Sequence, residues 1–210
     1  ELDQFVMRGG KILALVDTFD QPQGRSPDLT AAPSNFTDLL AHYGVVVNDE
    51  VVFDTRYHAH APISGRFLAP YPFWVHIMKT GMNPDDRIVA GLDRLTLPWP
   101  QSLDRSTTIA AGVEYEPLAW SSRFSKVRWG KRISMDHRTP APNESSSMTS
   151  HTLIAAVRGA LPSYFPEGTA IPDPATTETV SNRTREEDRR YVAQDAGIVV
   201  VGNSLFLQDD

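Results

Sequence analysis

The chain has 210 residues, 40% of them hydrophobic, and 20 Lys and Arg against 26 Asp and Glu, for a net charge of −6. That length and apolar content suit one domain with its own core, and the negative balance argues against nucleic acid, whose phosphates need clustered positive charge. With no cysteine, a thiolate nucleophile, a thiolate metal site and a disulfide are excluded, and no apolar run approaches the roughly 20 residues that cross a bilayer.

In chain order, Leu2, Phe5 and Val6 recur at helical spacing and Gly9 stands where a helix end favours φ > 0. Ile12-Leu13-Ala14-Leu15-Val16 then runs unbroken from a Gly-Gly turn to Asp17. Five apolar residues without alternation predict a strand buried on both faces, in the middle of a parallel sheet. Ser34 or Asn35 can cap a helix over Phe36–His42 that stops at Gly44. Val45–Val47 and Val51–Phe53 have β character on either side of an Asn48-Asp49 turn, Leu68–Pro72 reads as a loop, and Phe73–Ile77 as a short strand. Asn83-Pro84-Asp85-Asp86 has a cap, a first-position proline and first-turn acids, which predicts a brief helix before Gly91. Leu95–Pro98 and Val113–Leu118 suit outer strands. Residues 136–150 are polar with hardly an apolar anchor, which predicts a mobile loop. Thr152–Val157 is a strand, 184–194 a charged helix, and Gly197–Ser204 repeats the glycine, apolar run and small polar ending of the first strand, predicting a second strand of the same sheet.

Several residues carry possible chemistry. Asp17, Asn203 and Ser204 stand at the carboxyl ends of the two strands assigned to one sheet, where open α/β folds place ligands. They equally suit loop capping. His58-Ala59-His60, four residues beyond Asp54, is the candidate metal group, because His-x-His on extended backbone puts both imidazoles on one side; two surface histidines need no metal, and the spacing names no third ligand. No metal and no other cofactor is expected. Gly202-Asn203-Ser204-Leu205 lacks the second glycine of a hydrolase elbow, and neither a Walker loop nor Gly-x-Gly-x-x-Gly occurs. Arg123–Arg132 places five cations around two aromatics, a local exception to the negative charge that reads as a solvated hairpin or loop, and second as a patch facing a membrane or partner.

Leu2–Val6 with Gly9-Gly10-Lys11 and Leu15-Val16-Asp17, Leu39–Val45 through Asp54, Tyr71–Val75, Asn83-Pro84, Ala90–Asp93 to Leu97-Pro98, and Val199–Leu207 together resemble the GldG-like, gliding-motility type of auxiliary component of ABC-type transport systems. In that family the last strand commonly carries an aspartate where this chain has Asn203 or Ser204. The resemblance implies an α/β fold, distantly glutamine-amidotransferase- or flavodoxin-like: a mixed, largely parallel central sheet flanked by helices, with β-rich insertions. It also implies a non-catalytic domain at the extracytoplasmic (periplasmic) face of a bacterial inner membrane. Its partners would be the permease and ATPase subunits, and its anchors would lie outside this chain.

Residues 1–210 are accordingly expected to form a single domain from a longer membrane-anchored protein. The missing first strand would leave a sheet edge beside Ile12–Val16 open to self-association. The alternative function is a hydrolase or sugar-binding domain using the carboxyl edge of the sheet, with Asp17, Asp54 and His58 as its polar cluster. It requires those side chains to converge in one pocket.

Overall fold

A computed structural model describes residues 1–20, 28–64, 67–136, 138, 141–169 and 189–207. Its centre is a four-stranded sheet in the order β1 (Lys11–Leu15), β14 (Ala196–Val201), β13 (Thr152–Gly159), β10 (Val113–Trp120). The strands at the two ends of the chain pair in parallel, with Leu13 opposite Val199. Every other pairing in the sheet is antiparallel.

One face of the sheet carries Ala14, Ala155, Val157, Ile198 and Val200, which pack on Val6 and Met7 of α1 (Leu2–Met7) and on Leu40 and Tyr43 of α2 (Asn35–Tyr43). The short pair β4 (Val45–Val47) and β9 (Leu103–Arg105) completes that layer. The start of α2 follows from its sequence: Ser34 Oγ accepts from the Phe36 amide at 3.2 Å, and Gly44 ends the helix at φ 116°, a conformation glycine adopts without strain.

The opposite face is covered by strands. Leu153, Ile154, Ala156 and Val201 meet Val52 of β5 (Glu50–Asp54), Val127 of β11 (Ser125–Trp129), and Val75, Ile77 and Leu97 of a meander formed by β6 (His58–Ser64), β7 (Phe67–Met78) and β8 (Arg94–Pro98). A third small sheet, β2 (Phe19–Asp20), β3 (Leu29–Ala31) and β12 (Arg132–Ile133), closes a satellite core of Phe19, Leu29, Phe53, Phe73 and Ile133.

The expected helix-flanked, largely parallel α/β sheet is therefore corrected. The described chain is mostly β, with fourteen strands, two α-helices, one parallel pair and several small antiparallel sheets. Apolar runs of four to six residues fit buried strands of either polarity, so they could not tell a helix-covered sheet from a strand-covered one. Nor is the first strand central. It lies at the sheet edge, pairs only with β14 among the described residues, and leaves Leu13 60% exposed.

Three local expectations fail as well. After Asn83 the chain turns without forming a helix, because Asn83 Oδ1 and Asp86 Oδ1 capture the amides of Asp85 and Ile88. Leu68–Pro72 belongs to β7 rather than to a loop. Residues 189–194 are not helical, and 184–188 lie outside the described residues.

The polar stretch 141–150 runs back along β11. Trp129 donates to the Asn143 carbonyl at 3.2 Å, Ser145 to that of Val127 at 2.9 Å, and Thr149 to that of Ser125 at 2.9 Å. Its Glu144 meets Lys126 and Arg128 at 3.0 and 2.8 Å. Its anchors are thus polar, of a kind that hydropathy does not register.

Candidate functional site

Asp17 and Asn203 do stand at the carboxyl ends of neighbouring parallel strands. Their polar atoms are taken up locally. Asp17 accepts from the Ser204 amide at 3.1 Å and from the Ser204 hydroxyl, tying the two strand ends together. Asn203, fully buried, donates to the Pro98 carbonyl at 2.5 Å and caps the following turn by accepting from Leu205 and Phe206 at 3.1 and 3.0 Å. The cavity beside Asp17 has about 10 Å³, the room of roughly one water.

Asp54 is likewise structural. Its carboxylate is fully buried and accepts four hydrogen bonds: Oδ1 from the Arg56 and Tyr57 amides, each at 2.9 Å, and Oδ2 from the Ser122 amide at 3.1 Å and the Ser125 hydroxyl at 3.0 Å. His58 donates from Nδ1 to the Asp54 backbone carbonyl at 2.9 Å, and its ring centroid is 6.5 Å from that of His60. Among the described residues no group of three or more His, Asp or Glu is placed to hold a metal ion. Neither Asp54 nor His58 lines the cavity beside Asp17, so the three side chains do not share a pocket there.

A larger concavity lies elsewhere, a cleft of about 640 Å³ between strands β6 and β7 on one side and Met135, Asp136 and Arg138 on the other. Its walls are Tyr71, Trp74, Trp99, Pro62, Pro70 and Met135, with an Asp136–Arg138 ion pair of 3.0 Å at the rim. The rings stand almost at right angles: Tyr71 and Trp74 have centroids 5.8 Å apart at 88°, Trp74 and Trp99 6.2 Å apart at 76°. Trp99, between Pro98 and Pro100, has φ 51°, a left-handed conformation that costs on the order of 1–3 kcal/mol for such a residue. Three hydrogen bonds hold it there. Its amide donates to the Phe73 carbonyl at 2.7 Å, its indole to the Tyr71 hydroxyl at 3.2 Å, and Gln101 donates to its carbonyl at 2.8 Å. Burial raises the Tyr71 phenol above its ordinary pKa, with the Trp99 hydrogen bond opposing, so it stays a neutral hydroxyl.

A family model described as "ABC-type uncharacterized transport system", the auxiliary component of such systems, matches residues 1–210. The chain belongs to this family. A Borreliella burgdorferi relative of the auxiliary domain, described as "Uncharacterized protein", is 30% identical over 129 residues. The match takes in 60% of this chain and 25% of the relative, so the chain spans about a quarter of the length of that curated relative. The solved structure described as "mmIFT52 N-terminal domain" aligns over 96% of this chain and 57% of its own, at a TM-score of 0.43 and 13% identity.

For a transport auxiliary domain, the aromatic cleft offers flat apolar faces rather than a nucleophile beside a base. In the sequence these residues stand in a loop over Leu68–Pro72, in strands over Phe73–Ile77 and Leu95–Pro98, and in the family resemblance, with nothing that gathers them into a site. The available signal was aromatic residues interleaved with prolines, in Tyr71-Pro72-Phe73-Trp74 and Pro98-Trp99-Pro100, a density a sheet core does not need. The run Arg123–Arg132 is also corrected. Rather than being a solvated hairpin or loop throughout, it contains strand β11, whose Arg128 is buried against Phe53 and Phe73, while Arg123 before the strand stays exposed.

Proposed function

We propose that this auxiliary domain is a non-catalytic, partner-binding module at the extracytoplasmic face of a bacterial inner membrane, of the gliding-motility type. Segments outside this chain anchor it, and it works in contact with the permease and ATPase of its transporter. The observation that carries the reading is a contrast. Of the polar groups the sequence offers for chemistry, Asp17, Asn203, Ser204 and Asp54 are spent on backbone or on one another, His58 Nδ1 is spent on the Asp54 carbonyl, and His60 completes no metal group among the described residues, while the cleft is built of aromatic and proline surface. Such surface suits an extended segment of a partner protein, and the strained Trp99 supports assigning that role to the cleft. The edge of β1, which pairs only with β14 among the described residues, supports self-association as a second contact.

Affinity isolation of the full-length protein from its native membrane tests this. Recovery of an ABC permease and ATPase, reduced by Trp99→Ala, is the expected result. Turnover of a substrate by the isolated domain, or isolation without either transporter subunit, would overturn it.

A further inference from the structure

The fold removes most of the free charge from the cationic run. Lys126 and Arg128 pair with Glu144, and Arg132 with Asp28. Arg123 stays exposed, its guanidinium carbon 4.9 Å from the ring centroid of Phe124. A second exposed arginine reaches the same ring from another loop: Arg56 lies 4.9 Å from the Phe124 centroid and 5.6 Å from that of Tyr57. The two guanidiniums are therefore separated by no more than twice 4.9 Å. Neither makes an ion pair with a carboxylate among the described residues.

Both line a pocket of about 510 Å³ together with Tyr57, His76, Thr80 and Trp120. The loops that carry the arginines are clamped to each other by the buried Asp54, which holds the amides of Arg56, Tyr57 and Ser122 on one carboxylate. Thr55 adds a hydroxyl bond of 2.9 Å to the Phe124 carbonyl. The cations are thus positioned before any ligand arrives, which lowers the ordering cost of binding. Burial lowers the His76 pKa below its ordinary value, and Arg94, His58 and His60 lower it further.

Two guanidinium forks and the nearby Thr80 hydroxyl present more donors than the two oxygens of a carboxylate can use, and a phosphoryl group accepts on three. The volume falls in the range of pockets for small organic ligands. We propose that this pocket binds an organic phosphate, with Arg56 and Arg123 on the phosphoryl oxygens and the carbon portion against Tyr57 and Trp120. The proposal is independent of the partner-binding reading. A lipid headgroup and a soluble organic phosphate share this chemistry.

The test titrates the chain with sn-glycerol 3-phosphate and with citrate by calorimetry, and floats it on phosphatidylglycerol and phosphatidylcholine vesicles. Expected is saturable binding of glycerol phosphate, weaker for citrate, and reduced about tenfold or more in Arg56→Gln/Arg123→Gln, since the variant loses the charge-assisted hydrogen bonds to the phosphoryl oxygens. Both residues are exposed, so the double variant should keep the wild-type urea midpoint. Flotation on phosphatidylglycerol alone, competed by glycerol phosphate, identifies a lipid phosphate as the source. Glycerol phosphate binding without flotation identifies a soluble one. Absence of saturable binding to either phosphate probe, equal affinity of the double variant, or citrate binding as tightly as glycerol phosphate would overturn the proposal.

Discussion

Arg128 is the largest of the fully buried side chains, 1% exposed, and replacing it should be among the most damaging single changes in this domain. Its Nε donates to Glu144 at 2.8 Å and Nη2 lies 2.8 Å from the same carboxylate, while Nη1 donates to the carbonyls of Ser134 at 2.6 Å and Asp136 at 3.0 Å. The guanidinium carbon also sits 5.3 and 5.2 Å from the ring centroids of Phe53 and Phe73. One planar group thereby ties β11 to the 141–150 segment and to the backbone beside Met135, a wall of the aromatic cleft. A lysine ammonium can serve the carboxylate or the two carbonyls, but not both sides of the fork. At about 1.5–3 kcal/mol per charged hydrogen bond, losing roughly two gives a cost of about 3–6 kcal/mol for Arg128→Lys. Arg128→Met should cost a similar ~3–5 kcal/mol, because it leaves a mostly buried Glu144 with Lys126 as its remaining ion-pair partner. Equilibrium urea unfolding reads this as a lower midpoint at unchanged slope. Arg128→Met/Glu144→Gln should be less destabilised than the sum of the two single variants, as groups in one network couple. A lysine variant within about 0.5 kcal/mol of wild type, or strict additivity in the double variant, would refute the reasoning.

Asp54→Asn keeps one acceptor oxygen for the Arg56 and Tyr57 amides but turns an NH₂ toward the Ser122 amide, so a donor faces a donor; a loss of about 2–3 kcal/mol is expected by thermal or urea unfolding, and an unchanged midpoint would show that Asp54 does not clamp the two loops. Stability should also fall in acid, for two reasons of known sign. Burial raises the Glu144 pKa, but hydrogen bonds from Lys126 and Arg128 and the Arg128 charge outweigh it and hold the group below its ordinary 4.5; the stability this contributes is present above the unfolded value and lost as pH falls through the lower folded one. Burial lowers His151 below its ordinary 6.5 against the opposing pull of Glu50 and Asp104, so the folded state excludes its proton and stability declines as pH drops below that value. Urea midpoints at about pH 7 and about pH 5 should differ more for wild type than for His151→Gln; equal differences would exclude His151 as the cause.

Much of the fold's local grammar was written in short stretches. The Ser34 cap and the Gly44 stop frame α2 because capping needs only a side-chain oxygen and a residue tolerant of φ > 0 within one turn. The two terminal strands and their partnership in one sheet were legible because matching apolar runs end alike, in Asp17 and in Asn203-Ser204, and those endings hydrogen-bond each other. What covers each sheet face depends on contacts between residues far apart in the chain, and periodicity carries no information about them. Val45–Val47 and Val51–Phe53 look like neighbours across a turn, yet one pairs with 103–105 and the other with 125–129. The same limit applies to the sites. Asp54 looked like a ligand because its acidity is visible in sequence, while the four donors that occupy it come from residues 56, 57, 122 and 125. Arg123 and Arg128 are alike as letters in one cationic run. Only tertiary packing buried Arg128 on two phenylalanines and left Arg123 and Arg56 beside the same Phe124 ring, because the energy of a charge is set by what surrounds it in space.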